Sequence, residues 1–190
     1  MAKKKNDQAR RIITLVIIAV IVAFTMYFIT LRPDTDLEIV PVAAGPDLSV
    51  QPDFNIHQYT GTWFEMARSP NRFEKGCECV TAEYTHYEGN VGLLNKCQRE
   101  GLTDEIRGTG EITNTPGILK IQFFPFTSSE YRVLYVDERY NNALVYGEQD
   151  YWILGRYGTT DEEVAETVAI AAERGLDTST LIYNTGCFIE

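Results

Sequence analysis

Few residues in this chain of 190 could carry chemistry, and their types limit what that chemistry is. Cysteines stand at Cys77, Cys79, Cys97 and Cys187, and the two histidines are His57 and His86. Four cysteines allow two disulfides in three connectivities, whereas a free thiol would act as a nucleophile only where its surroundings lower its pKa. No His, Cys, Asp or Glu spacing suits a metal, and no phosphate loop or Ser-His-Asp arrangement is present, so neither cofactor nor metal is implied. Glu65 is the remaining candidate acid. It lies in the stretch Tyr59 to Arg68, YTGTWFEMAR, which alternates with Trp63, Glu65 and Ala67 on one face and Phe64, Met66 and Arg68 on the other, as a strand does. A carboxylate sharing a buried face with a large indole must be paired or stay protonated. The indole itself needs a cover for its outer face and a partner for its ring nitrogen.

The elements that position these residues follow a simple order. Residues 1–11 are polar and basic, and 12–31 run apolar with only Thr14, Thr25 and Thr30 as interruptions, about the span of a bilayer core. The flanking Lys and Arg place the N-terminus in the cytoplasm and the rest of the chain across the membrane, in the periplasm or outside the cell. A cleaved signal peptide is the competing reading. The long apolar run, the lack of a close small-x-small site, and the absence of any Cys before Cys77 to carry a lipid favour an uncleaved signal-anchor. Residues 32–52, with Pro33, Pro41, Pro46 and Pro52, read as an extended linker. The net charge of -10 argues against nucleic acid as a partner.

From Asp53 onward, short alternating runs are separated by turn signals. After the first strand the pattern predicts strands at 79–87, 91–99, 104–112, 118–124, 131–136, 143–146 and 151–156, then a capped helix from Thr159 to Gly175 and a short strand at 180–183. Eight antiparallel strands with hairpin-length connections suggest a barrel or a sandwich, and the regular short loops favour an up-and-down barrel.

Three short motifs, met in order, resemble those of the lipocalin family, and more closely its bacterial lipocalin and apolipoprotein D branch. Gly61-Thr62-Trp63 is similar to the first family motif, Asp137 with Tyr140 to the second, and Arg156 after Trp152-Ile153-Leu154 to the third. Phe73-Glu74, Asn95 and Ala143-Leu144-Val145 stand at branch-typical places. The resemblance covers about 54–187 and implies an all-β fold: an eight-stranded barrel with a C-terminal helix and a short ninth strand. It also implies that Arg156 lies across Trp63 at the closed end, as a structural cation over a π-face.

With register helped by that resemblance, every second residue should face inward. The inward sets are Glu65 and Ala67; Val80, Ala82 and Tyr84; Val91, Leu93 and Asn95; Ile106, Gly108 and Gly110; Leu119, Ile121 and Phe123. They continue with Tyr131, Val133 and Tyr135; Leu144 and Tyr146; Trp152 and Leu154. The expected ligand-binding residues are Ala82, Tyr84, Val91, Leu93, Asn95, Ile106, Ile121, Phe123, Tyr131, Val133, Tyr146 and Trp152. Small residues at 67, 82, 108 and 110 should leave room, the phenols of Tyr84, Tyr131 and Tyr146 with Asn95 could orient a polar head, and Glu65 should pair with Arg156 or a tyrosine. Pro125-Phe126 should present apolar side chains at the open rim. The branch pairs Cys79 with Cys187, which leaves Cys77 for Cys97 if Cys77 lies in a loop; the swapped choice, Cys77 with Cys187, stays open. Function follows as an expectation: a membrane-tethered monomer or weak dimer that binds a small hydrophobic ligand, a fatty acid or lysophospholipid, for lipid transport, storage or membrane maintenance. Two alternatives remain, an enzyme using an inward Cys97 thiol on a lipid-like substrate and a ligand-free interaction module.

Overall fold

The computed structural model describes residues 26–27, 45–184 and 186–188. The apolar run at 12–31 and most of the linker expected at 32–52 lie outside the described residues, among which no helix is long and apolar enough to cross a membrane. From Ala44 onward the chain is one compact unit. It contains a short helix α1 (Ile56–Tyr59), strands β1 (Gly61–Arg68), β2 (Cys79–Tyr87), β3 (Asn90–Arg99), β4 (Leu102–Ile112), β5 (Ile118–Phe124), β6 (Thr127–Val136), β7 (Asn142–Gly147) and β8 (Asp150–Gly155), helix α2 (Asp161–Glu173), and β9 (Ile182–Tyr183).

Strands β1 to β8 pair in chain order, and β1 closes the circle by pairing with both β8 and β2. The result is an eight-stranded antiparallel barrel. The second half of β1 leaves β2 and takes β9 instead, through Ala67 opposite Tyr183 and Arg68 opposite Ile182. Helix α2 starts at a capping box, in which Thr160 Oγ1 accepts from the Glu163 amide and Glu163 Oε2 accepts from the Thr160 amide. It stops at Gly175, whose φ of +79° suits a residue without Cβ.

Two bulges reset the inward phase. The β1–β8 register shifts between Glu65 and Ala67, and the β6–β7 register shifts between Val133 and Tyr135. A bulge adds one residue to one strand, so every side chain beyond it changes face. Ala67, expected inside, therefore packs with Met66 on the outer face, and Arg68 turns inward to Glu65. Tyr135, Leu144 and Tyr146, also expected inside, join the outer cluster with Leu134, Ile153 and the α2 residues Val164 and Ala171; Val136, Ala143 and Val145 take the inner face. The extra residue at Leu134 is the cause: beyond it β6, and the β7 residues paired with it, present the opposite face. Residues 47–51, expected as part of a free linker, run along β6: the Asp47 amide donates to the Arg174 carbonyl, the Gln51 amide to that of Val133, and Arg132 Nη1 to that of Leu48.

The closed end is organised around Trp63. It is fully buried, its Nε1 donates to the Tyr59 carbonyl at 2.8 Å, and the Arg156 guanidinium carbon lies 3.7 Å from the indole centroid. Arg156 also donates to the carbonyls of Thr62, Thr60, Tyr59, Tyr140 and Gln58 at 2.7 to 3.3 Å. Asp137 Oδ1 accepts from the amides of Asn141 and Asn142, which shapes the β6–β7 turn that delivers the Tyr140 carbonyl. Gly61 has φ +97°, and a Cβ there would sit 3.4 Å from Arg156 Nη1, so glycine lets the chain pass under the guanidinium. Trp63→Ala should lower the unfolding free energy measured in urea by about 3–5 kcal/mol, the cost of truncating a buried aromatic; unchanged stability would contradict this account of the closed end.

Candidate functional site

Above this floor the barrel holds a cavity of about 670 Å³, open at the end opposite Arg156. Its wall is mainly apolar: Val80, Ala82, Leu93, Ile106, Ile121, Phe123, Val145 and Leu154, with Trp152. Of the ligand-binding residues expected from sequence, Ala82, Tyr84, Leu93, Asn95, Ile106, Ile121, Phe123, Tyr131 and Trp152 lie around it. Val91 and Val133 are inward but fully buried with Trp63, beneath the cavity. Tyr146 is outside the barrel, for the reason of phase given above.

The room does not come from the glycines. A Cβ on Gly108 would meet the Phe123 ring at 2.7 Å, so that glycine lets Phe123 lie against β4, and Gly110 is packed by Leu93, Val91 and Ile121. Among the four small residues expected to leave space, Ala82 alone lines the cavity.

Two polar groups interrupt the apolar wall. The first is a chain of phenols: Tyr84 Oη donates to Tyr131 Oη at 3.0 Å, and Tyr131 and Tyr59 share a hydrogen bond of 2.7 Å. Burial pushes Tyr84 up to about 12 and raises Tyr59 and Tyr131 well above the usual phenol value, so all three stay neutral, and Tyr84 and Tyr131 present their hydroxyls to the cavity. Tyr59 was not among the residues expected from sequence, because it precedes the first strand and alternation says nothing of it. Beside this group, Asn95 Oδ1 is buried without a hydrogen-bond partner.

The second group centres on Glu65. Arg68 Nη1 donates to Glu65 Oε1 at 2.7 Å, and Asn184 Nδ2 donates to the same oxygen at 2.6 Å. Arg68 Nη2 donates to the Glu74 carbonyl at 2.9 Å, while Glu74 Oε2 accepts from Asn71 Nδ2 at 2.6 Å and from Trp152 Nε1 at 3.0 Å. Glu65 is thus paired, but with Arg68 and Asn184, not with Arg156 or a tyrosine. Sequence pattern placed Arg68 on the wrong face, and Asn184 reaches the site from the far end of the chain.

Cys97 lies at the mouth, bonded to Cys77, and Cys79 is bonded to Cys187. Cys77 precedes β2 in a turn, its amide donating to the Glu74 carbonyl, which frees it from the alternation that opposed this pairing. No cysteine is free, so the thiol required by the enzymatic alternative is absent. His57 and His86 meet each other at the closed end, with ring centroids 4.4 Å apart, away from the cavity. Among the described residues no group of His, Cys, Asp and Glu could hold a metal.

A closed barrel, a capped floor and an apolar interior are shared by a known group of proteins, and a family model described as a lipocalin-like domain matches residues 54–185. The chain belongs to the lipocalin family. It is 37% identical over 144 residues to the outer membrane lipoprotein Blc of Escherichia coli K12, covering 72% of this chain and 81% of that one. Apolipoprotein D of Bos taurus is 39% identical over 125 residues, covering 58% and 65%. Among solved structures, insecticyanin from the tobacco hornworm Manduca sexta superposes with a TM-score of 0.62 at 23% identity, covering 74% of this lipocalin and 85% of insecticyanin.

Burial, and then the charge of Glu74, push Glu65 up to about 8, against the opposing pull of Arg68. The folded chain therefore holds this proton more tightly than the unfolded chain. The stabilisation is complete below the unpaired value of 4.5 and is lost as pH rises toward about 8. Glu65→Gln should flatten this part of the stability profile, measured by urea unfolding across that pH range, and a variant with the parent's slope would contradict it.

Proposed function

We propose that this lipocalin binds a single-chain lipid, a fatty acid or a lysophospholipid, in its barrel, and that it carries, stores or hands over lipid derived from the membrane to which it is tethered. The observation that carries the reading is the apolar cavity of about 670 Å³, a size suited to one small ligand. Each CH₂ taken from water gains about 0.8 kcal/mol, so a long acyl chain binds without a charged contact. The neutral phenols of Tyr84 and Tyr131, with Asn95, orient an oxygen-bearing group, and Ala82, Leu93, Ile106, Ile121, Phe123 and Trp152 contact the chain. Tethering rests on the apolar run at 12–31 and its basic flank, which put the barrel on the periplasmic or outer side of the membrane as a monomer or weak dimer. Binding, not turnover, is favoured by the disulfide that occupies Cys97.

Native mass spectrometry of the delipidated protein, titrated with fatty acids and lysophospholipids, should give a one-to-one complex that Leu93→Trp suppresses by filling the cavity. Equal signal from the filled variant and the parent would refute the proposal. A protein that stays empty while a partner binds its rim would support the interaction-module reading instead.

A further inference from the structure

The mouth of the barrel is unusually apolar on its outer side. Phe73 in the β1–β2 loop is 66% exposed, Leu102 at the start of β4 is 72% exposed, Phe124 at the end of β5 is 62% exposed, and Phe126 in the β5–β6 turn is fully exposed. Three of the four loops at this end thus present a large apolar side chain to solvent. Among the described residues of the barrel domain, Ile182 is the one other exposed large side chain that lacks a polar tip.

Phe126 is the most telling of them. Its φ is +66°, a left-handed conformation that costs a bulky residue energy and a glycine almost none. The fold gains no packing from the exposed ring in return. A strained position occupied by a solvent-exposed phenyl points to a contact outside the chain.

Two further features say what that contact is. The N-terminal segment passes beside the mouth: after Asp47 bonds Arg174 at the end of α2, Leu48 lies in an outer groove with Arg132 and Tyr146 and with Ser128, Ser129, Glu130 and Glu148, the last four of which also border the cavity mouth. The membrane-length apolar run at 12–31 ends 17 residues before Leu48. The rim also carries Asp104, Glu105, Glu130, Glu148 and Asp150 against Arg72, Lys96 and Arg99, an acidic excess that would be repelled by anionic headgroups.

From the exposed apolar rim continuous with the cavity mouth, the strained Phe126 and the entry of the tether beside them, we infer that the barrel docks mouth-down on a zwitterionic lipid bilayer. Phe73, Leu102, Phe124 and Phe126 enter the interface between headgroups and acyl chains, so a lipid passes between bilayer and cavity without crossing water. This use of the rim rests on the lipid-binding reading, but contact with the bilayer is measurable whether or not the cavity is filled.

The full chain carrying Phe126→Trp, reconstituted in phosphatidylcholine vesicles, reports the contact by fluorescence. Its emission should shift to the blue and lose intensity with brominated phosphatidylcholine, beyond the baseline that Trp63 and Trp152 give in the parent. Tyr87→Trp, at the closed end, should show neither change, and replacing part of the lipid with phosphatidylglycerol at low salt should weaken the quenching at position 126. Absence of bromine quenching there, or equal quenching at positions 87 and 126, overturns the inference. A blue shift without quenching would place the rim against protein, a second copy or another chain, and also overturns it. Phe126→Gly should unfold at a Tm no lower than the parent; a lower Tm would mean that the ring serves the fold.

Discussion

The contact between Arg156 and Trp63 is the interaction on which the rest of this structure depends. An eight-stranded barrel has two open ends, and a cavity that holds an apolar ligand needs one of them sealed. The indole fills the bore and the guanidinium covers it from outside, 3.7 Å from the ring centroid. Its donors also gather carbonyls from α1, from the start of β1 and from the β6–β7 turn. A single cation thereby ties two stretches distant in sequence, residues 58–62 and the turn at Tyr140, to the floor of the cavity. Lysine could supply the charge but not the planar, branched set of donors.

Above the floor, strand phase decides which side chains meet a ligand and which meet the helix. The two bulges divide the apolar residues into an inner cluster around Trp63 and an outer one beneath α2, and they turn Arg68 toward Glu65. Burying a guanidinium with two carboxylates is costly unless most of their hydrogen bonds are met. Asn184, Asn71 and Trp152 meet them, and retention of a proton on Glu65 relieves the surplus negative charge. The same cluster anchors the β1–β2 loop to the barrel through the Glu74 carbonyl, so the wall of the cavity and one lip of its mouth are one structure.

The polar groups of the interior, Asn95 aside, are engaged with one another. Its phenols are held neutral by burial, its mouth cysteine is oxidised, and its carboxylates are committed to Arg68 and its neighbours. What it offers is volume and apolar surface, with a few donors to orient a polar end. At the mouth the balance differs, because exposed phenyl groups and an acidic rim lie side by side.

Much of this was legible in the amino-acid sequence. The alternating runs and turn residues specify eight strands and a capped helix because local backbone preferences act over a few neighbours, and three spaced motifs point to Trp63, Asp137, Tyr140 and Arg156 as the closing elements. Most of the cavity lining followed from period-two alternation in strands that pair without a register shift, β2 and β3 among them. Alternation failed at Ala67, Tyr135, Leu144 and Tyr146, because a bulge is a property of two paired strands and leaves no local mark in one of them. The partners of Glu65 were hidden for a related reason: Asn184 lies 119 residues away, and only closure of the barrel with β9 outside it brings that amide to the carboxylate. Sequence determined the strands, the seal and the apolar character of the interior. Tertiary structure decided the phase, the disulfide partners and the charged network, since each depends on which strand lies beside which.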